Sequence, residues 1–391
     1  MFKRKSEQIT LNLSPSSCEE FRFSWVRLAR TKNVGCKTFL ELLHIYGNPI
    51  DALANIEKLA FNGNGGNNKK LIPSKSSIEK EFADTEKFGA KLILSCDDDY
   101  PQILKQIPDH PPVLVAKGNT ELLNKDKLAI VGARNSTING NKLSYNFAKA
   151  ISESGYIIVS GLAKGIDSFA HQGSVKTQTI GVIAGGIDHI YPKENEELFK
   201  ALYESGLVIT EYPIHTKVLP QFFPQRNRII AGLSLGVLVI EASKKSGTLI
   251  TSKFALDYNR EVYAIPGSPL DNNAQGTNEL LKQGANIALT PTDVLQDLNK
   301  TKDQKDIFVF DKKDTFSNYH SKKAPSEDDL KSYRDLLKNS LSHSPIFIDD
   351  IVAQLEIPIN VLSCLLIELE LAEKIVRLSG NKIQLISNNL N

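Results

Sequence analysis

The chain has no run approaching the roughly 18 uninterrupted apolar residues of a membrane span, and its opening MFKRKSEQITLNLS lacks the apolar stretch of an export signal. Both absences point to a cytoplasmic protein with no membrane partner. Cysteine is scarce, and Cys18, Cys36, Cys96 and Cys364 never fall into a CxxC spacing, which argues against a disulfide framework and against a zinc site. An excess of charge of one sign is also missing, because 47 Lys and Arg meet 45 Asp and Glu for a net +2. Any basic surface must therefore be local. Two familiar loops are absent. There is no GxGxxG, since the first glycine loop reads Gly132-Ala133-Arg134 and its next glycine is Gly140, and there is no GxxxxGK[ST]. These absences exclude a standard dinucleotide fingerprint and a Walker-type ATP site. No Ser-His-Asp or Cys-His arrangement is recognisable, so no catalytic set is expected.

What is present is a row of strand-loop-helix units. From Lys91 to about Leu298 the runs KLILS, LAIVG, YIIVSG, TIGVIAGG, LVITEY, VLVIEA, VYAIPG and NIALT recur, most of them followed by a glycine-containing loop. Near-continuous Val and Ile mean strands buried on both faces, as in an extended Rossmann-like, doubly wound α/β sheet. Ligands of such sheets lie beyond the C-terminal strand ends, where these loops fall. Residues 1–80 read as a small all-α domain (SAM-like or helix-hairpin-helix-like), with periodic helices from Phe21 to Asn62 followed by NGNGGNNKK. Its turn TKNVGCKTF is either a phosphate-approaching hairpin or plain helical packing. The sheet domain occupies 85–298, a polar linker 299–330, and residues 331–391 give three helices and a hairpin turning at Ser379-Gly380-Asn381, a winged-helix-like domain.

Five loops of the sheet domain carry cations. Arg134 follows Gly132; Lys164 stands between Gly161 and Gly165, after Ser160; Lys193 and Asn195 follow Gly185 and Gly186; FFPQRNR supplies Arg226, Asn227 and Arg228; EASKKSGTLIT supplies Lys244, Lys245, Ser246, Gly247 and Thr248. A mononucleotide needs one or two such contacts, whereas a row of them suits consecutive phosphates. Tyr191, Tyr212, Phe222 and Phe223 lie beside the same loops and offer rings on which unpaired bases can stack. Asp167 and Asp188 are read as helix N-caps or as functional groups, His171 as a packing histidine, and Glu211 and Glu241 as salt-bridge partners of Arg226 or Arg228 ahead of an acid/base pair. The enzyme alternative, a phosphoribohydrolase-like nucleotide hydrolase, would place its carboxylate at Glu241.

GARNST, VSGLAKGIDSFAH, GGIDHIYPKEN, FPQRNRIIAGLS, IEASKKSGTLIT and YAIPGSP occur in this order, and by them the chain closely resembles the DNA processing protein A (DprA/Smf) family from about Leu92 to Val294. The resemblance implies a homodimer that binds single-stranded DNA and, in competent bacteria, protects incoming DNA during natural transformation and loads the RecA recombinase for DNA recombination. It implies no cofactor and no catalytic reaction. Carried over by motif, the DNA contacts are Arg134, Lys164 with its glycines, Lys193, Asn195, Arg226, Arg228 and Lys245. Two positions depart from the pattern: VLPQFFPQRNR has no basic residue just before its FPxRNR motif unless Lys217 substitutes, and Ser243 stands where a basic residue is common. In the winged-helix-like domain the third helix carries Glu368, Glu370 and Glu373 and no cation before Lys374, a sign that repels phosphate, so this domain is expected to meet protein.

Overall fold

A computed structural model describes residues 19–62, 72–307, 325, 327–378 and 380–386. NGNGGNNKK lies outside the described residues except for Asn62, as does most of the polar linker. The chain divides into two compact units, Met1–Ile78 with Phe316–Asn391, and Glu79–Thr315.

The N-terminal helices are α1 (Glu19–Ala29), α2 (Cys36–Tyr46), α3 (Pro49–Asn62) and α4 (Lys75–Lys87), the last leading into the second unit. Trp25, Val26, Leu28, Phe39, Leu42 and Leu43 recur at helical spacing and are all buried, which is why α1 and α2 fold into a packed hairpin. Gly47 ends α2 in the left-handed region, its N–H returning to Leu43 O.

The second unit is a nine-stranded sheet in the order β1-β2-β6-β5-β4-β3-β7-β8-β9. In chain order its elements are β1 (Lys91–Leu94), α5 (Gln102–Lys105), β2 (Val113–Gly118), β3 (Lys127–Val131), α6 (Ile138–Glu153), β4 (Ile157–Ser160), α7 (Ile166–Ser174), β5 (Thr179–Val182), α8 (Glu196–Ser205), β6 (Leu207–Thr210), α9 (Phe222–Gly232), β7 (Gly236–Val239), α10 (Thr248–Asp257), β8 (Glu261–Ala264), α11 (Gln275–Lys282), β9 (Asn286–Ile287) and α12 (Pro291–Ile307). β3 to β9 are parallel, while β1 and β2 join antiparallel, β2 lying against β6. β2 is a strand that the repeating pattern did not announce. The double winding is visible in β3, where Ala129 and Val131 join one core with Ile229, Ile230 and Ala255, while Leu128 and Ile130 join another with Phe147 and Ile151. β3 pairs with β4 on one side and β7 on the other, so the chain winds outward from β3, returns, and winds the other way. A crevice opens where that reversal occurs. α12 runs on to Ile307, past the linker start read at residue 299, with Lys300 paired one turn back to Asp297.

The C-terminal elements are α13 (Glu327–Ser340), β10 (Ile346–Phe347), α14 (Ile348–Leu355), α15 (Ile359–Leu371), β11 (Ile375–Leu378) and β12 (Lys382–Leu385), with a small sheet in the order β10-β12-β11. This is a winged helix whose wing turns at Gly380 and Asn381, both with positive φ. α15 packs on α2 and α3 of the same unit.

Candidate nucleic-acid interface

The first loop of the site leaves β3 at Gly132 and rises to the exposed Arg134, whose guanidinium carbon lies 4.8 Å over the Phe223 ring. Across the crevice, β7 ends at Val239, Glu241 follows it, and the chain enters α10 at Gly247-Thr248, with Thr248 Oγ1 donating to Gly132 O at 3.0 Å. That bond ties the two loops flanking the switch point. Between them lies a cleft of about 510 Å³ lined by Arg134, Asp167, Phe223, Arg226, Asn227 and Thr248, among others. At Gly247 a Cβ would meet nothing within 4 Å, so the approach to the first turn of α10 is open to an incoming anion.

The cations separate into two groups. Arg134, Lys193, Lys244 and Lys245 are exposed, and Lys164 is exposed with Nζ 2.5 Å from Glu194 Oε1. Arg226 and Arg228 are only 3% and 7% exposed. Arg226 Nη1 donates to Gly161 O at 2.6 Å and to Val182 O, binding the ends of β4 and β5 from beneath. Burial pushes this guanidinium down to about 10, with the Asp167 charge opposing that shift and Arg134 adding to it. Desolvation in turn raises the Asp167 carboxyl, against the pull of Arg226 and of the Gly161 N–H that it accepts at 3.1 Å. Arg228 pairs with Glu211 and donates to Asp109 O at 2.6 Å, a brace from α9 to the loop before β2.

Other predicted site residues are likewise turned inward. Ser160 Oγ donates to Ile130 O at 2.6 Å, and Asn195 Nδ2 donates to Leu162 O at 2.8 Å and Ala163 O at 3.2 Å, holding the Lys164 loop in shape. Gly165 adopts a φ of +74, a conformation that side chains avoid, and packs on the Ala133 carbonyl. At Gly161 a side chain would collide with Arg226, so the glycine is what admits the buried arginine. Gly132 abuts Ile166, and Gly185 and Gly186 abut the loop of Thr216 and Val218. Ser246 Oγ accepts from the Thr248 N–H at 3.2 Å and Asn227 Nδ2 reaches Gly247 O at 3.4 Å, so both shape the α10 entry.

Neither Asp167 nor Asp188 caps a helix. Asp167 serves Gly161 as described, and Asp188 accepts from His215 N and His215 Nδ1, both at 2.8 Å. His171 is a core residue, with Nδ1 2.9 Å from Thr179 Oγ1 and its pKa pushed to about 3 by burial; Nε2 has no partner. Glu211 pairs with Arg228 as expected. Glu241 binds no arginine: it accepts the Thr137 N–H at 3.0 Å and the Thr137 hydroxyl, and so supports the start of α6. The rings pair among themselves, Tyr212 stacked on Phe222 at 4.2 Å and Tyr191 tilted to Phe223 at 5.8 Å, with Tyr191 half exposed. Sequence reasoning missed Asn273, which lines the cleft and donates to Asn135 O at 3.1 Å. No motif marks it. Among the described residues no group of three or more His, Cys, Asp or Glu is placed to hold a metal ion, and no helix is long and apolar enough to cross a membrane.

A doubly wound sheet with glycine loops, helix N-termini and cations at its switch point defines a Rossmann-like, phosphate-binding class of protein. Comparison makes this specific. The family described as DNA recombination-mediator protein A matches residues 91–299, a DprA-like N-terminal HHH domain matches 19–83, and the DprA winged helix domain matches 321–381. The chain belongs to the DNA processing protein A (DprA/Smf) family. It is 45% identical to the DNA processing protein DprA of Bacillus subtilis over 213 residues, covering 54% of this chain and 72% of that protein. It is 32% identical to the crystallised DprA of Streptococcus pneumoniae, with a TM-score of 0.59 over 71% of this chain and 98% of that one. The DNA processing protein A of Helicobacter pylori, whose structure addresses its single-stranded DNA binding mode, is 28% identical, with a TM-score of 0.50 over 54% of this chain and 96% of that one.

Proposed function

We propose that this protein binds single-stranded DNA along the C-terminal edge of its sheet, protects it, and hands it to the RecA recombinase, acting in the cytoplasm as a homodimer and without a catalytic step. The observation that carries the reading is the exposed Arg134 at an open cleft with the Phe223 ring beneath it, together with the exposed Lys193 and Lys245 on further loops of the sheet. Cations follow the phosphates while a ring takes a base, the combination that suits an unpaired strand. The single-strand binding of the Helicobacter pylori relative supports the same assignment. Arg134, Lys164, Lys193 and Lys245 are the direct contacts, joined by the backbone around Gly247 and Thr248; Ser160, Asn195, Arg226 and Arg228 hold the loops that present them. Glu241 is engaged by Thr137, which speaks for structure and against hydrolysis.

Fluorescence anisotropy with a labelled single strand, repeated over a range of salt, tests the reading. Arg134→Ala and Lys245→Ala should each weaken binding and flatten the log–log salt slope by about 0.7 per lost phosphate contact. Unchanged affinity and slope in both variants would remove the site assignment. A mobility shift with RecA present and absent tests the hand-over.

A further inference from the structure

The loop that carries Arg134 runs directly into α6, which begins at Ile138. Thr137 caps the helix, its hydroxyl accepting the Gly140 N–H at 2.9 Å, and Glu241 holds Thr137 in turn, so the start of α6 is fixed beside the cleft. The inner face of α6 is set by Phe147, Ala148 and Ile151 in the core and by Ser144 Oγ, which donates to Ile166 O at 2.8 Å. The opposite face is left to solvent. On it Ile138, Lys142, Tyr145 and Lys149 are all exposed, and steps of four, three and four residues put them on one line along the helix.

This line is unlike an ordinary solvated helix face. α6 holds no acidic residue before Glu153, its last. Lys142 meets no carboxylate among the described residues, and Lys149 comes no closer than 3.9 Å to Glu153. On α8, by contrast, the exposed Lys200 is held by Glu196 at 3.1 Å and Glu197 at 2.9 Å. Ile138 is 75% exposed and Tyr145 39%, and the Tyr145 ring pairs with no other ring and its hydroxyl makes no hydrogen bond among the described residues. Lysine is depleted at protein–protein interfaces, so two uncommitted lysines around a lone ring speak against a protein partner here. They suit an unpaired strand, whose bases stack on rings while cations follow its phosphates. Lys142 and Lys149 stand about 10 Å apart along the axis, with the ring between them. Helical side chains lean towards the N-terminus, so Lys142 and Tyr145 lean towards the Arg134 end.

We propose that α6 is a second stretch of the single-strand track. A strand leaving the cleft past Arg134 runs along Ile138, Lys142, Tyr145 and Lys149, with one base on the Tyr145 ring and the neighbouring phosphates on the two lysines. The proposal rests on the single-strand reading of the cleft and extends its footprint. Two observations fix the occupant: the helix continues from the loop of Arg134, and its exposed charge is positive. A duplex keeps its bases stacked on one another, so the ring adds affinity only for an unpaired strand.

Fluorescence anisotropy of the full chain with labelled oligothymidylates of about 5 and about 15 nucleotides tests this, the shorter filling the cleft alone and the longer reaching α6. Tyr145→Ala should weaken binding of the longer strand about tenfold and leave the shorter within about twofold. Tyr145→Phe keeps the ring and should bind both like the parent. Lys142→Ala/Lys149→Ala should flatten the log–log salt slope by about 1.4 for the longer strand only. Alanine favours the helix at these exposed positions, so the variants keep the fold. Parent-like binding of the longer strand by Tyr145→Ala, an equal loss on both lengths, or an unchanged slope for the lysine pair overturns the proposal. Arg134→Ala separates the two readings. If it weakens both lengths while Tyr145→Ala is parent-like, the helix track alone is rejected; if it weakens neither, the single-strand reading of the cleft falls as well.

Discussion

The two units own similar basic side chains and use them in opposite ways. At the sheet edge, Arg134 stands exposed at a cleft and Lys193 and Lys245 are exposed on further loops, while the arginines that meet acceptors, Arg226 and Arg228, are buried. In the helical unit, Lys32, Arg334 and Arg377 all end on carboxylates. A net charge of +2 conceals this difference, because what matters to an anionic polymer is which cations remain uncommitted. The sheet edge commits its buried cations to shape and leaves its rim cations exposed.

The largest expected effect separates rim from floor within the sheet edge. Arg226→Ala removes a buried charge that binds two strand ends and leaves Asp167 without its nearby cation, so unfolding by urea, followed by circular dichroism, should show a loss of about 3–5 kcal/mol. Arg134→Ala, on the rim, should stay within about 0.5 kcal/mol of the parent. Equal stability of the two variants would dissolve the division between floor and rim.

Next in size is the clamp of the helical unit. Arg377→Gln deprives Glu41 and Glu370 of a charged donor in a half-buried interface, and a loss of about 1–3 kcal/mol is expected. Trp25, the one tryptophan of the chain, is buried in that unit, so its fluorescence follows the unfolding there without interference from the sheet. A parent-like midpoint for Arg377→Gln would mean that the paired cations of this unit are not what holds the winged helix to the helices.

Much of this contrast was legible beforehand, and the limits are physical. Parallel strands buried on both faces write long apolar runs, so β3 to β8 stand out, and the exposed Arg134 and Lys245 follow from glycine loops at strand ends. β2 also has a buried apolar run, but it follows Pro111-Pro112, and its antiparallel partners β1 and β6 are chosen by tertiary packing. The inward turn of Arg226, Arg228 and Asn195 was hidden for the same reason: their acceptors lie 65, 119 and 33 residues away in the chain. The acidic sign of α15 argued against a phosphate partner, yet the group that meets its Glu370, Thr38 on α2, lies 332 residues away in the chain.

The smallest effect concerns a cation of the sheet unit that is paired in the manner of the helical unit. His215 bonds Asp188 Oδ2 through Nδ1 at 2.8 Å and Asp84 Oδ2 through Nε2 at 3.1 Å, and its pKa is raised, first by Asp188 and then by Asp84. With both ring nitrogens facing carboxylates, the imidazolium is the form that satisfies them. Because the folded value lies above the ordinary 6.5, the pair adds stability that is complete below that pH and fades as pH rises through the raised value. The side chain is 60% exposed, so solvent screening holds the contribution below about 1 kcal/mol. An NMR titration of the His215 ring should give a pKa above that of an unpaired histidine, and Asp188→Asn should lower it more than Asp84→Asn. A ring that titrates at the ordinary value, or one indifferent to Asp188→Asn, would show that this pairing does not persist in solution.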